Sequence, residues 1–507
     1  MSEVRNATLH HLYQDSVVLM EISRQLGAQA DVEEAAVLMG TPANVQVLIE
    51  AGLLDDQLAA PSSDDVVIGV RARSGEAAEH AIDWARRALT GGVGHGSRVV
   101  GRPSSSEPAY RGWRGRPEDA RLALISVPGP YAAAEAWKAL RAGLHVFLFS
   151  DHVSVDDEIV LKDAARERGL LVMGPACGTA CLSGMPLGFS NAVARGPIGL
   201  VAASGTGLQE VMCLIDRLGG GISQAIGTGG RDLSRRVAGR TMKQAIALLE
   251  ADPGTAVITL ISKPPDPHVA ADVLSTVAAG GKPAVVCFIG EQAPAPASGL
   301  YPVRTLEEAA RRAVELASTS SASVPGDPVV PPAGEPVQLR GLFCGGTLAY
   351  EALTILGERL GPVWSNVALD TDRDWQTGRP IPGHLCIDLG AEEFTRGRPH
   401  PMIDPAPRAQ LLVEMARDPR VGVFLLDVVG GTGCHRDPAG AMVEAIKEAR
   451  REARSRGGAL AFVASVTATD ADLSPRRSQV AALERAGVIV APSNASAARV
   501  AARLVSA

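Results

Sequence analysis

The chain has 507 residues, 46% of them hydrophobic and only 4% aromatic, with 54 glycines, 34 prolines and a net charge of −7. That length holds about three or four domains with their own cores, and a make-up rich in Val, Ile, Leu, Ala and Gly suits α/β architecture with many tight turns. The acidic balance excludes a general attraction to nucleic acid or to an anionic membrane, few aromatics argue against base-stacking platforms, and no run approaches the roughly 18 apolar residues that span a bilayer.

Seven cysteines, scattered from Cys177 to Cys434, form neither a disulfide framework nor a CxxC pair. No His, Asp or Glu cluster has metal-ligand spacing, and the first residues carry no basic start followed by an apolar stretch. A cytoplasmic protein with no structural metal is expected.

Residues 1–90 predict a small α+β domain, with strands at 35–40 and 65–72 and amphipathic helices at 15–27 and 76–89. Residues 91–118, rich in Gly, Arg, Ser and Pro, read as a linker. Over 119–195 the order strand–helix–strand–helix–strand predicts a parallel βαβαβ unit. A second α/β domain, 196–317, runs through apolar strands that each end in a glycine or polar turn; a Ser/Pro-rich linker, 318–337, separates it from a third at 338–507. Runs that are apolar throughout imply burial on both faces of a parallel sheet. Ligands of such sheets sit at the carboxyl ends of the strands.

Two glycine-rich turns stand out there, in IGLVAASGTGLQEVM (198–212) and FLLDVVGGTGCHRDPAG (424–440). Each is predicted to join a strand to a helix, where backbone N–H groups and the helix dipole favour an anion. Ser204, Gly205 and Thr206 form the first expected phosphate cradle; Gly430, Gly431, Thr432 and Gly433 form the second. Plain helix capping by Ser and Thr is the alternative. His435 follows the second turn and is the candidate proton carrier or oxyanion donor, with Asp427 orienting it or capping the turn. Lys263, His268, Arg398 and His400 are the candidate substrate-binding residues, with exposed or salt-bridged loops as the alternative. Cys177 and Cys434 are read as packing residues.

These motifs carry a resemblance. ISVPGPYA through MGPACG is similar to the second half of the CoA-binding domain of succinyl-CoA synthetase alpha subunits, and IGLVAASGTGLQEVM with AIGTGGRDLS to their next domain. LRGLFCGGTLAYEALTI and FLLDVVGGTG resemble the carboxyl-terminal domain of the beta subunits. The blocks GTPAN, TRGRPHPMID and DVVGGTGCHRDPAG resemble the FdrA family along essentially the whole chain.

The fold implied is a small α+β unit, a partial Rossmann-like CoA-binding-type domain and two flavodoxin-like succinyl-CoA-synthetase-type domains with parallel sheets. The function implied is that of a subunit of an oxamate carbamoyltransferase: phosphorolysis of oxalurate to oxamate and carbamoyl phosphate. Phosphate, carbamoyl phosphate, oxamate or oxalurate would be the anionic ligand, other subunits and a second copy of the chain the partners, and no cofactor is required. The chain departs from the ligases in three ways: it has no room for an ATP-grasp domain, the strand KPAVVCFIG is not followed by a phosphate-carrying histidine, and the glycine-rich nucleotide turn that opens a full Rossmann domain is missing. Two alternatives remain: an acyl-CoA synthetase or CoA transferase that binds CoA and takes its nucleotide unit from a partner, and a noncatalytic assembly subunit.

Overall fold

The computed structural model describes the chain except for residues 1, 11, 13, 15, 55–60, 63–64, 92–119, 291–298, 318–324, 331–336, 396–397 and 506–507. The expected linker at 91–118 thus falls almost wholly outside the described residues, as does most of 318–337. The chain divides into two compact units, Met1–Pro128 with Thr395–Pro399, and Gly129–Phe394 with His400–Ala507.

The first unit carries β1 (Glu3–Leu9), α1 (Ser16–Gly27), β2 (Val32–Met39), α2 (Pro42–Glu50), β3 (Val66–Ala72), α3 (Gly75–Gly91) and β4 (Leu122–Ile125). β3 lies between β1 and β2, antiparallel to both. Its run VVIGVRA is buried almost throughout, as expected of a central strand. The sequence gives no clear signal for β1, whose EVRNATL is mostly polar and only partly covered.

The second unit opens with α4 (Gly129–Arg141), β5 (His145–Leu148), α5 (Val155–Glu167) and β6 (Val172–Met173), with β5 and β6 parallel. Then come β7 (Thr179–Leu182), β8 (Met185–Gly188), β9 (Arg195–Ala203), α6 (Gly205–Arg217), β10 (Ile222–Gly227), α7 (Arg240–Ala251), β11 (Val257–Ser262), α8 (Pro267–Ala278), β12 (Ala284–Phe288), β13 (Leu300–Pro302) and α9 (Leu306–Ala317). Their seven-stranded sheet has the order β13-β12-β11-β9-β10-β7-β8. β9 to β13 are parallel; the β7–β8 hairpin is added antiparallel to β10. This sheet therefore draws on residues ahead of 196. Ser183 and Gly184, both at positive φ, make the tight turn of that hairpin.

The last elements are β14 (Gln338–Phe343), α10 (Gly346–Leu360), β15 (Val363–Ser365), β16 (His384–Asp388), α11 (Glu392–Thr395), α12 (Ala406–Met415), β17 (Val421–Val429), α13 (Pro438–Ser455), β18 (Ala461–Thr467), α14 (Arg476–Arg485), β19 (Ile489–Ala491) and α15 (Asn494–Val505). The six-stranded sheet β15-β16-β14-β17-β18-β19 is parallel throughout. All nine residues of β17 are buried. One apolar core runs through both large sheets, from Leu200 and Val211 to Leu348, Val463 and Val500. The protein is mixed α/β with parallel sheets, and no described helix is long and apolar enough to cross a membrane.

Candidate functional site

Two strands that end next to each other in space, β9 and β14, each turn sharply into a helix, and the two helix starts meet. Ser204 is the N-cap of α6, with extended backbone and its Oγ accepting the Gly207 amide at 3.0 Å. The same hydroxyl lies 2.6 Å from Oγ1 of Thr347, in the first turn of α10. A Cβ placed on Gly345 would stand 2.7 Å from Oγ1 of Thr206, and one on Gly207 would stand 2.9 Å from Cγ2 of Thr347. Glycine is needed at both places because the two helix starts touch. A helix start leaves its first amides without acceptors in the helix, so this junction concentrates donors and positive dipole ends from two domains.

The turn Cys344–Gly345 is held from beneath by Asp427. Its carboxylate accepts the Cys344 amide at 2.9 Å and the Gly345 amide at 2.9 Å, and Arg408 pairs with it at 3.1 Å. Asp427 and Arg408 are both buried. Asp427 therefore shapes the turn ahead of α10. It does not orient His435, as one sequence-based expectation had it.

Three further polar groups converge on the start of α10. A Cβ on Gly346 would lie 2.4 Å from Oδ2 of Asp388 and 2.9 Å from Nζ of Lys263. The Lys263 ammonium also stands 5.1 Å from the centre of the Tyr350 ring. Burial raises the Asp388 carboxyl to about 6, against the pull of Lys263 and of the Gly390 amide. On the other side of the Asp388 turn, a Cβ on Gly390 would stand 2.6 Å from Nε2 of His400. The Met402 amide donates to Nδ1 of that ring at 3.2 Å, which leaves the ring proton on Nε2. Desolvation holds His400 down at about 4, so the ring is neutral at pH 7.

Of the expected site residues, the structure thus gathers Ser204, Gly205, Thr206, Lys263 and His400 near one junction. The turn Gly430, Gly431, Thr432, Gly433 takes a different role. It does not open a helix, because α13 begins at Pro438 behind the N-cap Asp437. Its donors are largely spent: the Gly430 amide goes to Thr467 O at 3.0 Å and that of Thr432 to Ser190 O at 2.7 Å. Gly431, at φ 116°, has no room for a side chain, since a Cβ would meet Ser190 O at 2.4 Å. The turn packs on Phe189, whose ring lies 5.8 Å from that of His400, so it walls the site.

His435 is partly buried, its amide donating to Met402 O at 2.7 Å and its Nδ1 accepting the Asp437 amide at 3.1 Å. His268 is exposed in the first turn of α8, capped by Asp266. Arg398 is exposed, its amide donating to Thr395 O at 3.1 Å. His268 makes no contact at the junction among the described residues, and Arg398 belongs to the first unit. Sequence reasoning missed Gly345, Gly346, Thr347 and Asp388, although FCGGT follows the same strand–glycine–helix rule as SGTG.

Three family profiles match: "CoA-ligase" at 342–504, "CoA binding domain" at 194–290 and "AllF, heavy metal-associated domain" at 1–99. Residues 1–99 contain no cysteine, and the described residues present no group of three His, Cys, Asp or Glu side chains suited to a metal ion. The donor set of that domain therefore does not fit a thiolate-bound metal. The chain is 42% identical over 498 residues, 95% of each partner, to the uncharacterized protein YahF of Escherichia coli K12. It is 29% identical over 188 residues to the alpha 2 subunit of the ADP-forming succinate–CoA ligase of Archaeoglobus fulgidus, covering 35% of this chain and 62% of that one. The corresponding mitochondrial alpha-2 subunit of Trichomonas vaginalis is 32% identical over 184 residues, 35% of this chain and 58% of its own.

Proposed function

The chain belongs to the FdrA-like family of fused succinyl-CoA-synthetase-type proteins that includes YahF, and on that footing we propose that it is an acyl-transferring enzyme of the CoA-ligase kind. Its donor is an acyl phosphate and its acceptor the thiol of CoA. The observation that carries this reading is the contact between the starts of α6 and α10, Ser204 Oγ to Thr347 Oγ1, with Lys263 and Asp388 at the same point. Two helix N-termini and an ammonium suit a phosphoryl group. Donors fixed in place before reaction also stabilise the oxyanion that forms when the acyl carbon is attacked. Holding donor and acceptor in register supplies much of the remaining acceleration.

No histidine lies between His268 and His384, so the phosphate in this reading is carried by the substrate and not by the stretch after β12. Activation by a nucleotide falls to a partner subunit. The same observation favours a second reading, transfer of a carbamoyl group between oxalurate and phosphate to give oxamate and carbamoyl phosphate, within a complex that includes other subunits and a second copy of this chain.

The test is to co-express the full chain with the proteins encoded beside it and follow two reactions: thioester formation from acetyl phosphate or succinyl phosphate and CoA, and carbamoyl phosphate formation from oxalurate and phosphate. The first is expected to depend on this chain and to be lost on Gly346→Val. Turnover of oxalurate alone would replace the first reading by the second; turnover of neither would refute both.

A further inference from the structure

We propose that Asp388 is the proton-transfer group of this site, taking the acceptor's proton as the acyl–acceptor bond forms, while Lys263, beside it at the start of α10, holds the donor's phosphate. The inference rests on the acyl-transfer reading above. Asp388 ends β16, in register with Phe343 of β14, whose next turn opens α10. Its main chain is clamped on both sides by one residue: its amide donates to Oδ1 of Asn366 at 2.9 Å, and its carbonyl accepts Nδ2 of Asn366 at 3.0 Å. Oδ1 is committed to the Gly390 amide at 2.9 Å.

Oδ2 is different. Among the described residues it has no hydrogen-bond partner, although the residue is only 5% exposed, and it packs against Gly346 so closely that a Cβ there would meet it at 2.4 Å. Lys263 reaches that same spot without forming an ion pair with it among the described residues. A carboxylate whose charge was needed only to stabilise the fold would close on the ammonium. Here the two stand apart, both packed against Gly346, where even a Cβ would overlap them.

The charged groups acting on this carboxyl are Lys263, from the loop after β11, which favours the carboxylate, and Asp427 of β17 and Glu393 of α11, which disfavour it. With burial as the largest effect, the balance puts the group at about 6, where a base is ionised at neutral pH yet retains proton affinity. His400, neutral and with its proton on Nε2, sets that ring nitrogen against Gly390, two residues after Asp388.

A sulfur lone pair of the thiol forms the C–S bond at the acyl carbon, and the S–H proton passes to Oδ2 of Asp388. The tetrahedral species collapses, the C–O bond to phosphate breaks, and its electron pair leaves on the bridging oxygen. Asp388 returns its proton to that oxygen, so that hydrogen phosphate departs and the carboxylate is regenerated.

The experiment compares wild type, Asp388→Asn and Lys263→Ala as full chains with their co-encoded partners, in whichever of acetyl phosphate plus CoA or carbamoyl phosphate plus oxamate the wild type turns over. Wild-type kcat is expected to fall as pH drops through about 6. Asp388→Asn is expected to lower kcat by about 10²–10⁴-fold and to abolish that limb, with acetyl phosphate or carbamoyl phosphate binding, measured by calorimetry, changed less than threefold. Lys263→Ala should raise KM for the phosphate donor and keep the limb, moved to higher pH because the carboxylate loses its neighbouring cation. If Asp388→Asn does not fold, Asp388→Glu decides: kcat is lowered and the limb is kept, whereas wild-type kcat would overturn the proposal. An active wild type whose limb survives in Asp388→Asn also overturns it. An inactive wild type overturns the acyl-transfer reading itself.

Discussion

Glu351 offers a measurement of how the two large sheets are held together. It lies in α10, 1% exposed, and accepts the Leu306 amide at 2.7 Å and Nδ2 of Asn494 at 2.7 Å, so that α9, α10 and α15 meet on one carboxylate. Burial, reinforced by Glu210 and Glu307 nearby, outweighs those two hydrogen bonds and raises the group from 4.5 to about 7. A carboxyl raised in the folded state contributes stability that is fully present below its unfolded value and lost as pH rises through the folded one. Between pH 5 and pH 8 this group alone is therefore expected to remove about 2–3 kcal/mol of stability.

Glu351→Gln cannot ionise, so that dependence should vanish. The new amide turns a donor on one of the two donors it faces, a loss of about 1–3 kcal/mol that does not vary with pH. Wild type should thus be the more stable at pH 5, with the difference shrinking or reversing by pH 8. Urea midpoints and slopes at pH 5, 6, 7 and 8, followed by tryptophan fluorescence, measure it for the transition that unfolds this unit. Parallel pH profiles for the two proteins would refute the assignment of a proton to Glu351.

Gly345→Ala places a methyl group 2.7 Å from the buried Thr206 side chain and should cost about 1–3 kcal/mol; Thr206→Ala should relieve part of that, and strictly additive effects in a double-mutant cycle would contradict the close approach. Asp427→Asn leaves the buried Arg408 guanidinium without its counter-charge and is expected to cost about 3–5 kcal/mol in urea melts; a loss under about 1 kcal/mol would mean the pair does not hold the 344–345 turn. Burial pushes Cys177, Cys386 and Cys434 up to about 12, so the folded protein at pH 8 should resist thiol reagents and expose all seven cysteines only in urea; rapid labelling of Cys434 in the native state would argue against its packing role.

The parallel sheets were legible because their strands are apolar without interruption, as in VGVFLLDVV, a pattern that only burial on both faces explains. β1 and the β7–β8 hairpin were not. EVRNATL is an edge strand with much of its surface uncovered, and TACLSGMPLG is too short to separate from a loop except through its Ser-Gly turn. The fold class nevertheless followed from the repeated strand–turn–helix order.

At the site, glycine content misled where position did not. Both SGTG and GGTG report a close backbone approach, but the guest differs. At 204–207 the neighbour is another helix start; at 430–433 it is the strand bridge at Ser190 and the ring of Phe189. No sequence signal separates these, because the neighbour arrives from more than a hundred residues away in either case. Only the distance to the helix does: α6 starts immediately after Ser204, whereas Asp437, not glycine, caps α13. Asp388 was invisible for the converse reason, since LCIDLG reads as an ordinary strand end until β14 places the start of α10 against it.

The polar seam between the two sheets explains how such an arrangement is kept in register. Glu210 of α6 accepts Thr467 Oγ1 at 2.5 Å and the Asn494 amide at 3.0 Å, and Asn191 donates to Asp472 at 2.8 Å. These groups are buried, and sliding one sheet past the other would strand them without partners, whereas an apolar seam would tolerate the shift. The seam runs along α6 beyond its first turn, with Glu210 only six residues from Ser204. The same helix that carries Glu210 into the seam thus also brings Ser204 to Thr347, so the bonds that hold the two sheets in register hold that meeting as well.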